Sequence, residues 1–425
     1  MIISFEIQNY KSIKENLTIS FEAQSIRQRV NESTFSLDSN PTDKSFLKAI
    51  SFYGANASGK SNIIKAISIM RDVIINSGSY QIDHEIDVEP YVLSTQTKNQ
   101  PSRFELTFVI NDSIYRYGFI INSQKVIEEW LYLVLKTTEK PYFVRYESGI
   151  EISNNFNEGF GRDKYVKPNS LFLSTLANLN ANISTQIVGY FNLMNVITGT
   201  NYSAFTNFTA KHIENTELRG FILEIFKKGG LSEITGARVI SENLNNSSLN
   251  FLSDEIKSIV KRTIRKQIKI ITKHEVFDSS GSKIEDIEFD LNKESLGTQK
   301  IFALAGIIAF ALKNGLPIVI DELDARLHPL LLLYIVKLFS TAESNPHGSQ
   351  LIFASHNTNL LSTGLLRRDQ AYLISKTNQG TEAKTIHDLN IRSDASFEKD
   401  YLQGEYGAIP NINLGQIPIF DQFGK

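Results

Sequence analysis

The stretch GANASGKS, Gly54 to Ser61, follows the apolar segment ISFY and precedes a helical pattern, IIKAISIMRDVI. It matches G-x-x-x-x-G-K-[ST], in which glycines let a loop curl so that its backbone N–H groups face phosphate oxygens. The N-terminus of the following helix adds positive potential. Lys60 is therefore predicted to bind β- and γ-phosphates, and Ser61 to bind Mg²⁺ through its hydroxyl. A structural glycine turn is the alternative.

The composition around this loop is that of a folded chain with several domain-sized units. The chain has 425 residues, of which 41% are hydrophobic and 21% charged, and its formal net charge is −2. This charge gives no overall field for nucleic acid. The chain has no cysteine, which excludes disulfides, thiolate metal sites and cysteine nucleophiles and fits a cytoplasmic protein. The longest apolar run, Ile301 to Leu312, is too short to cross a bilayer and predicts a buried helix.

The order of patterns predicts an α/β fold with an interruption. Strand patterns with alternating faces open the chain, and residues 103–135 have the pattern of an antiparallel β meander. Helical patterns dominate from about residue 170. Strand patterns return near Ile270, and strands and helices then alternate as they do around a parallel sheet. We expect residues 1–160 and 274–425 to form two halves of one domain, with residues 161–273 as a mostly helical insertion.

A second chemical motif is LPIVIDE, an apolar strand that ends in Asp321 and Glu322. A buried strand would deliver Asp321 to the sheet edge, where it can hold Mg²⁺, and Glu322 is placed to polarise the attacking water. A helix cap after the strand would need only one acidic residue. The pair therefore favours an acidic site for ATP hydrolysis.

A third candidate is His356 in LIFASHNT, which also follows an apolar strand. A histidine at a strand end is often structural. Its distance beyond Glu322 is that of the switch histidine of ABC-type ATPases, which donates a hydrogen bond toward the γ-phosphate. This spacing favours a catalytic role.

The stretch NKESLGTQKIF, Asn292 to Phe302, opens a long apolar helix ahead of LPIVIDE. Serine, any residue, glycine and a polar residue in this place resemble the signature of ABC-type ATPases. The resemblance implies that Ser295, Gly297 and Thr298 bind the γ-phosphate held by another subunit, so that the site is complete only in a dimer. Ser295 could equally be a helix N-cap.

The whole order of motifs is similar to that of the RecF, chromosome-structural-maintenance and OLD group of ABC-type ATPases. FEIQNYKSI resembles the start of these proteins, Asn56 matches their G-x-N-x-x-G-K-S loop, and DELDARLHP resembles an OLD-type segment. LLRRDQAYLISK and YLQGEYGAIP are similar to the tail of RloA-type ATPases of bacterial restriction loci. The expected fold is thus an ABC-type P-loop ATPase domain with an antiparallel β meander and a mostly helical insertion. The predicted nucleotide-binding residues of the P-loop are Gly54, Asn56, Gly59, Lys60, Ser61 and Asn62.

The resemblance implies an ATP- and Mg²⁺-dependent switch that works as a homodimer or a higher even oligomer. It further implies anti-phage defence beside a separately encoded, nuclease-like effector. A DNA-clamping ATPase of genome maintenance, a transporter ATPase and an autonomous OLD-type nuclease are alternatives. The nuclease is disfavoured because no Asp-x-Asp pair follows His356.

Two further features have weaker chemical meaning. Gln96 and Gln100 are candidates for a Q-loop glutamine. Lys257 to Lys273 form a basic stretch with an apolar stripe that predicts an amphipathic helix. A solvated helix face is the simple interpretation of this stretch, and contact with nucleic acid or an acidic partner is the functional one.

Overall fold

The computed structural model describes residues 1–26, 29–36, 44–136, 138–199, 202–214, 216–243, 266–389 and 397–408. The strands are, in chain order, β1 (Ile2–Gln8), β2 (Leu17–Ser20), β3 (Thr34–Ser36), β4 (Ser45–Leu47), β5 (Ala49–Tyr53), β6 (Ser102–Ile110), β7 (Ser113–Ile121), β8 (Val126–Val134), β9 (Glu139–Tyr146), β10 (Gly149–Ile152), β11 (Asn195–Ile197), β12 (Ile234–Asn243), β13 (Lys266–Phe277), β14 (Lys283–Asp290), β15 (Ile318–Ile320), β16 (Leu351–Ala354), β17 (Ala371–Thr377) and β18 (Gly380–Thr385).

Helices follow or separate these strands. The α-helices of the described residues are α1 (Val30–Ser33), α2 (Lys60–Asn76), α3 (Phe172–Asn178), α4 (Asn182–Leu193), α5 (Ser203–Glu214), α6 (Thr216–Lys228), α7 (Leu296–Asn314), α8 (Pro329–Ser340), α9 (Asn359–Ser362) and α10 (Phe397–Leu402).

A six-stranded sheet in the order β11-β15-β16-β5-β17-β18 carries the chemical motifs. All neighbouring pairs are parallel except β17 and β18. Strand β5 is apolar and fully buried, as expected for a central parallel strand. The carboxyl ends of β5, β15 and β16 therefore meet at one edge, which is where open α/β sheets bind ligands.

A seven-stranded antiparallel sheet lies beside this core, in the order β10-β9-β8-β7-β6-β1-β2. The predicted meander corresponds to β6, β7 and β8, and β9 and β10 extend it. The tight turn between β6 and β7 places Asn111 and Asp112 at positive φ, of 47° and 60°, which these residue types tolerate. The α/β class and the meander predicted from the sequence are thus confirmed.

The predicted insertion contains helices α3 to α6, but it also contributes to the core sheet. Strand β11 pairs in parallel with β15, with Val196 opposite Val319. The boundaries at residues 161 and 273 remain predictions.

The basic stretch differs from the prediction of a helix. Residues 257–265 lie outside the described residues, and from Lys266 onward the chain forms β13, the middle strand of a three-stranded sheet with β12 and β14. The helical interpretation of residues 266–273 was wrong. Strand β13 is rich in β-branched residues, which favour strands, and it pairs with β12 on one side and with β14 on the other. The segment DSSGSK forms the hairpin turn that joins β13 to β14.

Helix α7 is the apolar helix that the sequence predicts to be buried. Every residue from Lys300 to Leu312 except Phe310 is buried, and the helix packs against α5 and α6. Among the described residues it is the helix long and apolar enough to cross a membrane, and 72% of its apolar window is buried inside the protein. Its burial is that of a core helix.

Candidate active site

A cleft of about 430 Å³ lies at the carboxyl edge of the parallel sheet. It brings together residues from the loop after β5, the ends of β15 and β16, and two segments distant in sequence. Its lining residues are Ser12, Asn56, Ala57, Ser58, Gly59, Lys60, Ser61, Asn62, Asp321, Glu322, His356 and Lys376.

The loop after β5 requires its glycines for two different reasons. A Cβ on Gly54 would lie 2.2 Å from the carbonyl oxygen of Ile374, so no larger residue fits there. Gly59 has a φ of 114°, a left-handed value that other residues rarely adopt. Gly59 is also the N-cap of α2, which begins at Lys60. The loop therefore presents a helix N-terminus to the cleft, as an anion site requires.

The ammonium of Lys60 points back to the loop that carries it. Its Nζ donates to the carbonyl oxygens of Gly54 at 2.7 Å and Ala55 at 3.0 Å. Burial lowers the pKa of Lys60, and the nearby carboxylates of Asp321, Asp324 and Glu322 oppose this change. The ammonium thus lies at the cleft and has no direct ion pair with a described residue, so it is available to a phosphate.

Asp321 is the buried carboxylate of the site, with 5% of its surface exposed. Its backbone N–H donates to the carbonyl of Ile197 in β11, which fixes the end of β15. Burial raises the pKa of Asp321, while the facing Ser61 hydroxyl partly opposes the rise. Oδ1 is buried and has no hydrogen-bond partner in the part of the chain that the structure describes. A buried carboxylate oxygen with an unused lone pair, facing a hydroxyl, fits a bound Mg²⁺.

Glu322 is exposed to the cleft, next to the buried aspartate. Its φ of 48° is left-handed, which costs a non-glycine residue about 1–2 kcal/mol. Such strain is frequent at functional sites. The carboxylate is therefore held in a place that the chain would not adopt by local preference.

His356 follows β16 and is exposed at the same cleft. Its backbone N–H donates to Oδ2 of Asp324 at 3.0 Å. Asp324 belongs to the turn after β15, so the two candidate catalytic segments are joined directly.

Residues 50–362 match the family described as "AAA domain, putative AbiEii toxin, Type IV TA system". The chain belongs to this family. The matched region runs from β5 to α9 and contains the P-loop, Asp321, Glu322 and His356. This AAA protein is thus a member of a family of P-loop ATPases. No curated protein has a sequence that matches the chain.

Solved structures similar to this AAA protein include three SMC head domains. That from Thermotoga maritima has 15% sequence identity and a TM-score of 0.39, covering 90% of this chain and 98% of that one. A Pyrococcus furiosus SMC head domain, bound to the C-terminal domain of ScpA, has 14% identity, a TM-score of 0.40 and coverages of 92% and 97%. That from Pyrococcus yayanosii has 11% identity, a TM-score of 0.39 and coverages of 95% and 99%.

The predicted signature residues of this AAA protein lie elsewhere. Ser295, Gly297 and Thr298 are not among the described residues that line the cleft. The Ser295 hydroxyl accepts a hydrogen bond from the Thr298 N–H at 3.1 Å, so Ser295 is the N-cap of α7. A Cβ on Gly297 would lie 3.1 Å from the carbonyl oxygen of Arg326, which is closer than most such contacts. The helix-cap interpretation is therefore confirmed, and the signature role stays a prediction.

Outside the P-loop, the sequence did not predict two residues of the cleft, Ser12 and Lys376. Asn62 Nδ2 donates to Ser12 Oγ at 2.7 Å, and the Thr381 hydroxyl lies 2.8 Å from the same oxygen. The Thr381 hydroxyl also lies 2.9 Å from the carbonyl oxygen of Ser58, so both ends of the chain hold the P-loop. The segment FEIQNYKSI, which contains Ser12, resembles the start of related ATPases, but this resemblance gives the serine no role.

Lys376 lies near the end of β17 and is exposed at the cleft. Its ammonium has no hydrogen bond or ion pair with the described residues, which leaves a second cation facing the site. No pattern in the sequence singles it out, because a lysine at a strand end is common on protein surfaces.

The two Q-loop candidates lie away from the cleft. Gln96 and Gln100 are exposed in the segment before β6, and neither is among the described lining residues. Asn9 organises this segment, because its Nδ2 donates to the carbonyls of Thr97, Gln100 and Pro101.

Proposed function

We propose that this AAA ATPase hydrolyses ATP to ADP and phosphate and uses the reaction as a conformational switch. The observation that carries the proposal is the cleft itself. It gathers a P-loop lysine, a buried aspartate with a partnerless oxygen, an exposed glutamate and a histidine at one sheet edge. Phosphoryl transfer requires positioning and charge stabilisation of this kind.

The P-loop supplies the phosphate site. Lys60 would exchange its bonds to the carbonyls of Gly54 and Ala55 for bonds to the β- and γ-phosphates. Ser61 and Asp321 would hold Mg²⁺. A bound Mg²⁺ would neutralise part of the negative charge on the phosphates. The unpaired Oδ1 of Asp321 supports this assignment.

Glu322 is the proposed general base, since its carboxylate is exposed to the cleft where an attacking water would lie. The Glu322 carboxylate accepts a proton from the water as the water oxygen attacks the γ-phosphorus. The bond between the γ-phosphorus and the leaving ADP breaks in the same step. His356 is proposed to donate a hydrogen bond to the γ-phosphate oxygens.

The active assembly is proposed to be a homodimer or a higher even oligomer in the cytoplasm. Ser295, Gly297 and Thr298 stand outside their own chain's cleft, which supports a role on a partner's ATP. Leu296, exposed by 55% beside Ser295, would be covered in such a contact. Two chains closed on two ATP molecules would then differ in shape from two open chains, and a partner with different affinity for the two shapes would respond.

The partner is proposed to be a separately encoded, nuclease-like effector in defence against phage. The similarity of LLRRDQAYLISK and YLQGEYGAIP to the RloA-type tail supports this assignment. A family description that names a toxin system is consistent with it. Co-purification with the products of adjacent genes would test the effector directly.

The ATPase assignment is tested by comparing the wild-type chain with Glu322→Gln and Lys60→Ala. Glu322→Gln should bind ATP, hydrolyse it at least about 100-fold more slowly and accumulate as a dimer in light scattering with ATP. Lys60→Ala should bind ATP weakly and remain unassembled. Normal turnover by Glu322→Gln would contradict the proposed base.

A further inference from the structure

Lys300 is a buried lysine on α7 that no step of the proposed reaction uses. It has 1% of its surface exposed and lies in the second turn of the helix, just after the signature residues. A buried lysine is rare unless its ammonium is satisfied by partners. Its partners therefore indicate its role.

Among the described residues, the hydrogen-bond acceptors of the Lys300 ammonium are three backbone carbonyls of one turn. Its Nζ donates to the carbonyl oxygens of Glu322 at 2.8 Å, Leu323 at 3.0 Å and Ala325 at 2.8 Å. Lysine has three N–H donors when protonated, so each donor has one acceptor. The turn that carries the candidate base is therefore fastened to the helix that begins at the signature.

The fastened turn is one that the chain would not form easily alone. Glu322 and Arg326 both have left-handed φ values, of 48° and 62°. The close approach of Gly297 to the Arg326 carbonyl adds a second contact between the start of α7 and the same turn. Conformations of this kind persist only where surrounding contacts determine them, and Lys300 provides three such contacts.

We propose that Lys300 is a positioning residue that holds Glu322 in its catalytic place and links it to the signature end of α7. This inference rests on the proposed function. In a dimer the signature residues of one chain would contact the ATP bound by the partner, whereas Glu322 would act on the ATP bound by the P-loop of its own chain. The three bonds of Lys300 lie within one chain, on the turn that carries that chain's own Glu322, so loss of Lys300 should impair the ATP site that this glutamate serves.

The positioning of Glu322 by Lys300 depends on the protonation of the Lys300 amine. Burial lowers its pKa to about 8; Asp324, Glu322 and Asp321 oppose that change, while Arg326 adds to it. The ring of Tyr202 also faces the ammonium, with Nζ 5.6 Å from its centroid. A neutral amine has two N–H donors and a lone pair, so it cannot satisfy three carbonyls. Loss of the proton should therefore loosen the turn.

The first test compares Lys300→Met and Lys300→Arg with Lys313→Met as the control. Lys313 is on the same helix, and its exposed ammonium pairs with Glu217. Lys300→Met should lower kcat by about 10- to 100-fold with ATP affinity changed less than about twofold. The control should retain wild-type rates. Unchanged kcat in Lys300→Met would overturn the proposal.

The pH profile separates positioning from general support of the fold. In the wild-type chain kcat/KM should fall above about pH 8, because this parameter reports the free enzyme. Lys300→Arg keeps its charge and should lose that alkaline limb. A limb that persists unchanged in a folded Lys300→Arg would assign it to another group, such as Lys60, and would contradict the proposal.

Mixed dimers provide a test that does not depend on the arginine variant. One chain carries Glu322→Gln, so hydrolysis occurs only at the ATP site of the other chain. Lys300→Met placed in the chain with the intact Glu322 should abolish most of the turnover, and in the Glu322→Gln chain it should leave turnover within about twofold. Equal loss from both placements would make Lys300 a residue of the fold alone. Absence of turnover or of dimers in the parent pair would instead count against the proposed function.

Discussion

The backbone N–H of His356 donates a 3.0 Å hydrogen bond to the carboxylate of Asp324. This bond joins the end of β16 to the turn after β15, and so fixes the candidate phosphate-sensing histidine relative to the turn that carries Glu322. The second oxygen of Asp324 is buried without a partner among the described residues. Asp324 therefore contributes to the site by holding its two sides together.

Replacement of Asp324 by alanine should lower kcat by about 10- to 100-fold with little change in ATP affinity, because a displaced reacting group loses rate before it loses binding. Asp324→Asn keeps an oxygen that can accept the same bond and should retain most of the rate. The measurement is steady-state hydrolysis beside equilibrium ATP binding. An asparagine variant as poor as the alanine variant would show that the negative charge, and not the hydrogen bond, matters.

Asp321→Asn should abolish Mg²⁺-dependent hydrolysis and yet raise the melting temperature at pH 7 by about 1 to 4 °C. The pKa of Asp321 is raised in the folded chain, so the folded state binds its proton more readily than the unfolded state. Stability from this group therefore increases as pH falls through the raised pKa, and the ionised form costs stability above it. The advantage of asparagine should shrink as the pH is lowered toward 4.

Thermal melts of Asp321→Asn and of Glu322→Gln across this pH range provide the comparison. Glu322 is exposed, so its substitution should give no comparable gain. A loss of stability in Asp321→Asn at pH 7 would contradict the account of a buried charge without a hydrogen-bond partner on Oδ1.

Gly297→Trp should prevent ATP-dependent dimerisation while ATP still binds to the isolated chain. A side chain at this position meets the Arg326 carbonyl and would also obstruct a partner's nucleotide. Gly220→Trp is the control, since a Cβ at Gly220 contacts nothing within 4 Å. Light scattering with and without ATP measures the difference. If Gly297→Trp forms dimers at the ATP concentration that dimerises the wild-type chain, residues Ser295–Thr298 act only as a helix cap.

Lys376→Ala should weaken ATP binding by about 10-fold, as expected for loss of one charged hydrogen bond, and should reduce the salt dependence of binding. Lys384→Ala removes an exposed lysine from the neighbouring strand β18 and should leave the affinity unchanged. Calorimetric titration at two salt concentrations distinguishes the variants. Equal affinities for Lys376→Ala and wild type would exclude Lys376 from the site.

The part of the site that the sequence predicts well is the part built from local patterns. The P-loop, Asp321 and His356 each follow an apolar strand at once, so their placement at one sheet edge follows from the parallel arrangement alone. The meander between β6 and β8 is equally local, because alternating faces and short turns specify it. These predictions need no knowledge of distant contacts.

Lys300, Lys376 and Ser12 could not be assigned in this way. Lys300 appears in the sequence as one polar residue at the start of an apolar helix, and its three acceptors lie on a turn more than twenty positions away. Ser12 and Lys376 reach the cleft only through the packing of chain ends. The strand β13 was misjudged for another reason, since isoleucines spaced for a helix can also alternate along a strand.

Contacts between the first residues of the sequence and residues from 350 onward limit the order in which the protein can fold during synthesis. Gln350 bonds to both backbone polar groups of Ile2 across 348 positions, and Thr381 meets Ser12 across 369. Strand β5 lies between β16 and β17, which leave the ribosome much later. When only the GANASGKS loop has been synthesised, the two strands that flank β5, β16 and β17, are still missing. The loop then lacks the contacts that hold it in the folded protein. Formation of the candidate phosphate site therefore depends on contacts between residues that are far apart in the sequence, and such contacts form slowly.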